Sequence, residues 1–120
     1  MANRIEVSSK IKEAVPETEI IACPLRFGDV LRMYAERSVT SSWKIGGAAT
    51  TYKIAGLVYT DQLNDSYLLY ENPLLLYNKY KARYFLFEKS RLNKIQNHLS
   101  SFTLLFQTKN LVLYEYSRVN

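Results

Sequence analysis

The chain has 120 residues, 48% hydrophobic and 22% charged, and 16 Lys and Arg against 11 Asp and Glu leave a formal charge of +5. That length fits one domain, residues 1–120, able to bury roughly two-thirds of its unfolded surface, and the apolar fraction excludes disorder. One cysteine, Cys23, excludes an internal disulfide framework, and one histidine, His98, excludes a standard zinc site.

Val7, Ile11, Ala14 and Val15 fall at helical spacing with Lys10, Lys12 and Glu13 between them, which predicts an amphipathic helix that Pro16 ends. Glu19 to Cys23 reads as a short buried strand stopped by Pro24. Asp29 is placed to cap a second helix carrying Val30, Leu31, Met33 and Tyr34. Ser38 to Lys44 reads as a second strand, released by Gly46-Gly47. A helical pattern runs from Thr50 to Leu63. Tyr67 to Tyr80 forms another helical stretch that Pro73 starts or kinks. Its apolar part, Tyr67 to Leu76, is interrupted by Glu71, Asn72 and Pro73 and falls short of the ~18 residues of a membrane span. Ala82 to Glu88 is the clearest strand, and Arg91 to Leu99 a short helix or turn. Phe102 to Gln107 and Leu111 to Tyr116 form a β-hairpin around Thr108-Lys109-Asn110.

Strands separated by helices imply crossover connections. The expected fold class is therefore α/β: a small three-layer domain with a mostly parallel sheet of about five strands and a C-terminal antiparallel hairpin. Such sheets bind ligands at the carboxyl ends of their parallel strands. Two ends are readable here. The first strand delivers Arg26 and Asp29 beside a helix start, and the second delivers Trp43 and Lys44. If these strands are neighbours, the four residues line one crevice. Its cations suit a phosphate or carboxylate and its indole offers a face for a sugar ring. The structural alternative has Asp29 capping its helix, Trp43 filling core space and both bases solvated. Neither a P-loop nor Gly-x-Gly-x-x-Gly is present to decide between them.

No residue presents itself as catalytic. Cys23 belongs to a buried strand, His98 to a polar stretch, and Glu71 and Glu88 merely flank apolar segments. Nothing implies a cofactor or a metal. The basic, Tyr-rich segment 77–94 admits a nucleic-acid reading, with Lys and Arg on phosphates and Tyr77, Tyr80 and Tyr84 stacking on bases. The same bases also flank an apolar strand as gatekeepers against aggregation, and that reading is the simpler one.

Three stretches taken together resemble a known family. They are Ile11 to Pro24, then Phe27-Gly28-Asp29 with Arg32, Arg37-Ser38-Val39 and Trp43-Lys44, and finally Phe102 to Phe106 with Leu111 to Tyr116. This pattern resembles the soluble C-terminal extracytoplasmic domain of bacterial multi-pass membrane glycosyltransferase-like proteins. Ser42 stands where that group often has Asp. The resemblance implies a non-catalytic accessory or binding domain with a membrane-embedded partner or parent domain. It also implies a sugar or an anionic lipid headgroup as ligand, met here by Arg26, Trp43 and Lys44. Within a larger membrane protein the domain would face the extracytoplasmic side. As a free-standing chain it would be cytoplasmic, because Met1 to Val7 carries no signal-peptide pattern.

Overall fold

A computed structural model of the chain describes residues 2–40 and 65–117. The helix expected over 50–63 and the glycine pair at 46–47 lie outside them. Helix α1 (Ala2–Ala14) buries Val7 and Ile11, and Val15 joins them just past its end. Strand β1 (Ile20–Ala22) follows, then helix α2 (Leu25–Met33) and strand β2 (Ser38–Val39). A helical segment over 65–71 leads to helix α3 (Pro73–Tyr80). Pro73 opens α3, where its missing N–H has no intrahelical acceptor to lose. Strand β3 (Tyr84–Glu88), a 3-10 segment (Lys89–Ser101) and the hairpin of β4 (Phe102–Gln107) and β5 (Leu111–Tyr116) complete the chain. The 3-10 segment breaks at Ile95, whose backbone leaves the helical region where its side chain is buried.

The five strands lie in the order β2-β1-β3-β5-β4. β1 pairs in parallel with β2 on one side and with β3 on the other, Ile21 facing Val39 and Tyr84 respectively. β3 pairs antiparallel with β5 along its whole length, and β5 with β4. The sheet is thus mixed rather than mostly parallel, with a parallel half and an antiparallel half meeting at β3. The reason is the short turn at 108–110, which forces β4 and β5 antiparallel, together with the choice of β5 as the neighbour of β3. The edge strand β4 carries a bulge between Leu104 and Phe106, so Leu105 has no partner on β5.

Each face of the sheet has its own core. Phe85 and Phe87 point to one face and pack with Leu69, Tyr70, Leu76, Tyr80 and Ile95. Tyr84 and Leu86 point to the other and pack with Val7, Ile11, Val15 and Leu31 from the N-terminal helices. The alternation along β3 assigns these residues to opposite sides.

Two features of the N-terminal half depart from expectation. Helix α2 begins at Leu25, with Pro24 at its cap, so Asp29 sits inside the helix and does not cap it. The Leu25 N–H donates to Ser66 Oγ at 3.2 Å, which supplies the capping acceptor from a distant part of the chain. Gly28 is buried within α2.

The turn from α2 to β2 places Glu36 in the left-handed region at φ 56° and turns Arg37 inward. Arg37 Nε donates to the Val15 carbonyl at 2.9 Å, and its terminal nitrogens donate to the carbonyls of Ala35, Glu36 and Lys12 at 3.1 to 3.3 Å. Val15 and Lys12 belong to the end of α1, where carbonyls lack helical partners and the dipole favours a cation. One guanidinium thus ties α1 to the β2 approach. Replacing it strands several buried acceptors at once. Arg37→Met is expected to lower unfolding stability by about 3 kcal/mol in urea titration, and Arg37→Lys to recover only part, because an ammonium cannot span the same carbonyls.

Candidate functional site

A crevice shared by Arg26, Asp29, Trp43 and Lys44 requires β1 and β2 to be neighbours, and they are. Their pairing continues past the strand ends: the Thr40 N–H donates to the Ile21 carbonyl at 3.1 Å, and the Cys23 N–H to Thr40 Oγ1 at 3.4 Å. Cys23 itself is fully buried. Arg26 lies in the first turn of α2 and is exposed, and Asp29 follows at i+3, half-buried. Trp43 and Lys44 lie outside the described residues.

A third strand end, that of β3, opens beside Arg26. Glu88 closes this strand, and its carboxylate takes a hydrogen bond from the Arg26 guanidinium at 2.8 Å. The carboxylate side is mostly shielded at 15% side-chain exposure, while Arg26 keeps 66%, so the guanidinium still faces solvent. Arg26 also lies 4.9 Å from the centre of the Phe27 ring, which holds it close to α2. A cleft of about 540 Å³ opens here, walled by Arg26, Phe27 and Glu88, by Lys89 just beyond β3, and by Thr108 and Asn110 of the hairpin turn. The Lys89 N–H donates to the Asn110 carbonyl at 2.9 Å and pins that turn to the end of β3.

A second concavity of about 410 Å³ is lined by Ser66, Tyr67, Tyr70, Glu71, Arg91 and Lys94. The backbone N–H of Glu88, which lines the first cleft, donates to the hydroxyl of Tyr70, which lines the second, at 2.9 Å. Arg91 stacks over the Tyr70 ring, 4.7 Å from its centre. In the sequence Glu88 reads only as an acid flanking an apolar segment, which does not mark this strand end as a site. The signal was present: Glu88 ends the clearest strand, and a strand parallel to β1 must open at the same edge of the sheet.

Much of the basic segment 77–94 is already engaged. Lys79 bonds the buried Asp65 at 3.1 Å, Tyr80 donates its hydroxyl proton to the same carboxylate, and Arg83 reaches Glu115 at 3.5 Å. Lys81 lies over the Tyr77 ring, and Tyr80 and Tyr84 are buried. Glu71 is exposed and His98 half-buried. Among the described residues, no group of three or more His, Cys, Asp or Glu could hold a metal ion. Among them, too, no helix is long and apolar enough to cross a membrane.

Burial pushes the Tyr70 phenol up to about 12, partly offset by the hydrogen bond it accepts from Glu88. Tyr80 is raised further, first by burial and then by its bond to Asp65. A phenol whose pKa is raised on folding stabilises the native state fully below its unfolded value of about 10 and loses that contribution as pH climbs through the folded value. The urea midpoint is therefore expected to fall as pH rises from about 10 toward 12. Tyr70→Phe is expected to lessen that fall, with tyrosinate absorbance as the parallel readout.

No family model matches this sequence, and no curated protein does. Among solved structures, the C-terminal globular domain of an oligosaccharyltransferase from Archaeoglobus fulgidus superposes with a TM-score of 0.57 at 13% identity. The match covers 93% of this chain and 95% of that domain. At that identity the likeness is one of fold. It comes from an archaeal protein, whereas the sequence motifs resemble bacterial ones.

Proposed function

We propose that this chain is a non-catalytic accessory domain of a membrane glycosyltransferase-like assembly, either carried by a membrane-embedded parent or docked on such a partner. The carrying observation is the near-complete overlap with the oligosaccharyltransferase C-terminal domain, a fold match over 95% of that domain. The sequence motifs from Phe27 to Lys44 lead independently to the same class of protein. In this reading the domain sits on the extracytoplasmic side of the membrane as a three-layer unit, an arrangement that the cores packed on both faces of the sheet support. Its ligand is a sugar or an anionic headgroup, held by Arg26, Trp43 and Lys44 with Asp29 beside them.

The support for a ligand at this edge is chemical. Arg26 keeps a solvent-facing guanidinium although it is paired, and it borders a cleft at the strand ends, where open α/β sheets place their ligands. A phosphate or carboxylate competes for that guanidinium against Glu88 and gains a bidentate partner. The nucleic-acid alternative draws less support, because Tyr80 and Tyr84 lie in the core and Lys79 and Arg83 are ion-paired.

Titration of the chain with short polyprenyl phosphates and with glycans, followed by Trp43 fluorescence, is expected to give a saturable change. Arg26→Ala or Lys44→Ala is expected to weaken it about tenfold, the loss of one charge-assisted contact. A flat titration at millimolar ligand removes the binding claim. Retention on DNA with steep salt dependence would favour the alternative.

A further inference from the structure

The hollow at Tyr67 has a composition that the Arg26 reading does not use. Tyr67 is 70% exposed, the ring of a large side chain left bare on a helical segment whose next two residues turn inward. Arg91 and Lys94 reach the same hollow from the 3-10 segment, and Glu71 from the helical one. Arg91 lies over the Tyr70 ring, 4.7 Å from its centre, and among the described residues has no ion-pair partner, so its guanidinium N–H donors are left for an outside acceptor. Among the described residues, neither Glu71 nor Lys94 has an ion-pair partner. Ser66 Oγ accepts from the Leu25 N–H, so its own proton is available for donation. The hollow thus offers a bare aromatic face, two cations, one anionic acceptor and one hydroxyl donor within about 410 Å³.

We propose that this hollow is a binding site for one acidic sugar residue, a pyranose carrying a single carboxylate. The charge count selects that class. Two cations against one carboxylate leave a surplus of one positive charge, which matches a monoanion. A diphosphate brings more charge than the hollow balances. The ring face packs on Tyr67, the ligand carboxylate takes the fork of Arg91 with Lys94 beside it, and Glu71 and Ser66 take ring hydroxyls. The volume lies at the low end of that of small-molecule sites and suits one sugar unit rather than a long chain. Tyr70, fixed by the Glu88 N–H and unable to ionise near neutral pH, forms a rigid neutral wall.

This site is separate from the Arg26 cleft, and the experiment tells the two apart. The isotope-labelled full chain is titrated with glucuronate, glucose and inorganic phosphate, and backbone amide shifts are followed by NMR. Glucuronate is expected to shift Ser66, Tyr67, Glu71 and Arg91 saturably, while glucose and phosphate alone leave them still. Tyr67→Ala and Arg91→Lys are each expected to weaken glucuronate about tenfold, with circular dichroism confirming an unchanged fold. Both side chains are exposed, so neither variant is expected to unfold the chain. Equal shifts from phosphate reduce the hollow to a general anion patch and overturn the proposal. Silence of these residues also overturns it. Shifts confined to Arg26 and its neighbours sink this site and leave the accessory-domain reading standing.

Discussion

Strand β3 has no solvent-facing side until its last residue, and the rest of the molecule is arranged around that fact. Tyr84, Phe85, Leu86 and Phe87 are all buried, so successive side chains must each find a core on alternate faces. A strand of that kind cannot lie at an edge. It requires partners on both sides and helices above and below, and it has β1 and β5 as the former. The helices on one face come from the N-terminal part of the chain, and those on the other from 65–80 and the 3-10 segment. Burial relents at Glu88, where the strand runs out at the sheet margin beside the Arg26 cleft and its N–H reaches Tyr70 of the second hollow. The candidate sites are thus a product of the same packing: the strand that must be covered everywhere else is left open at one end.

Local signals in the sequence reach a long way here. β4 and β5 were legible to the residue, because the hairpin is set by its own turn and alternation. Pro73 marks the start of α3 for the same local reason. The helix start at α2 was not legible. Pro24 opens it, and the Leu25 N–H depends on Ser66 for its acceptor, a contact no window around Asp29 can contain.

The candidate edge was legible in part. The place of Arg26 just after the first strand followed from pattern, while the pairing of β1 with β2 entered only as a condition of the crevice, one the structure meets. The Arg26–Glu88 ion pair was not legible, since it joins residues far apart in the chain. Arg37 shows the same limit. It stands in the family-like motif beside Ser38 and Val39 with no role readable from the sequence, and the structure buries it on carbonyls at the end of α1. Part of what makes the motif recognisable is therefore architecture. The likeness to the archaeal domain, at 13% identity, is likewise one of fold.

The arrangement of the strands also dictates an order of assembly. The C-terminal hairpin can close over a few residues, but β1 meets β3 only when Ile21 finds Tyr84 across the intervening chain. During synthesis from the N-terminus, β1 emerges long before β3 exists. Until then α1, β1 and α2 have only β2 to pair with, and the Arg37 guanidinium is positioned to hold them together. The amino-terminal elements are thus tied to one another through the β1–β2 pairing and Arg37, while the other side of β1 is completed only by a strand that follows about sixty residues later.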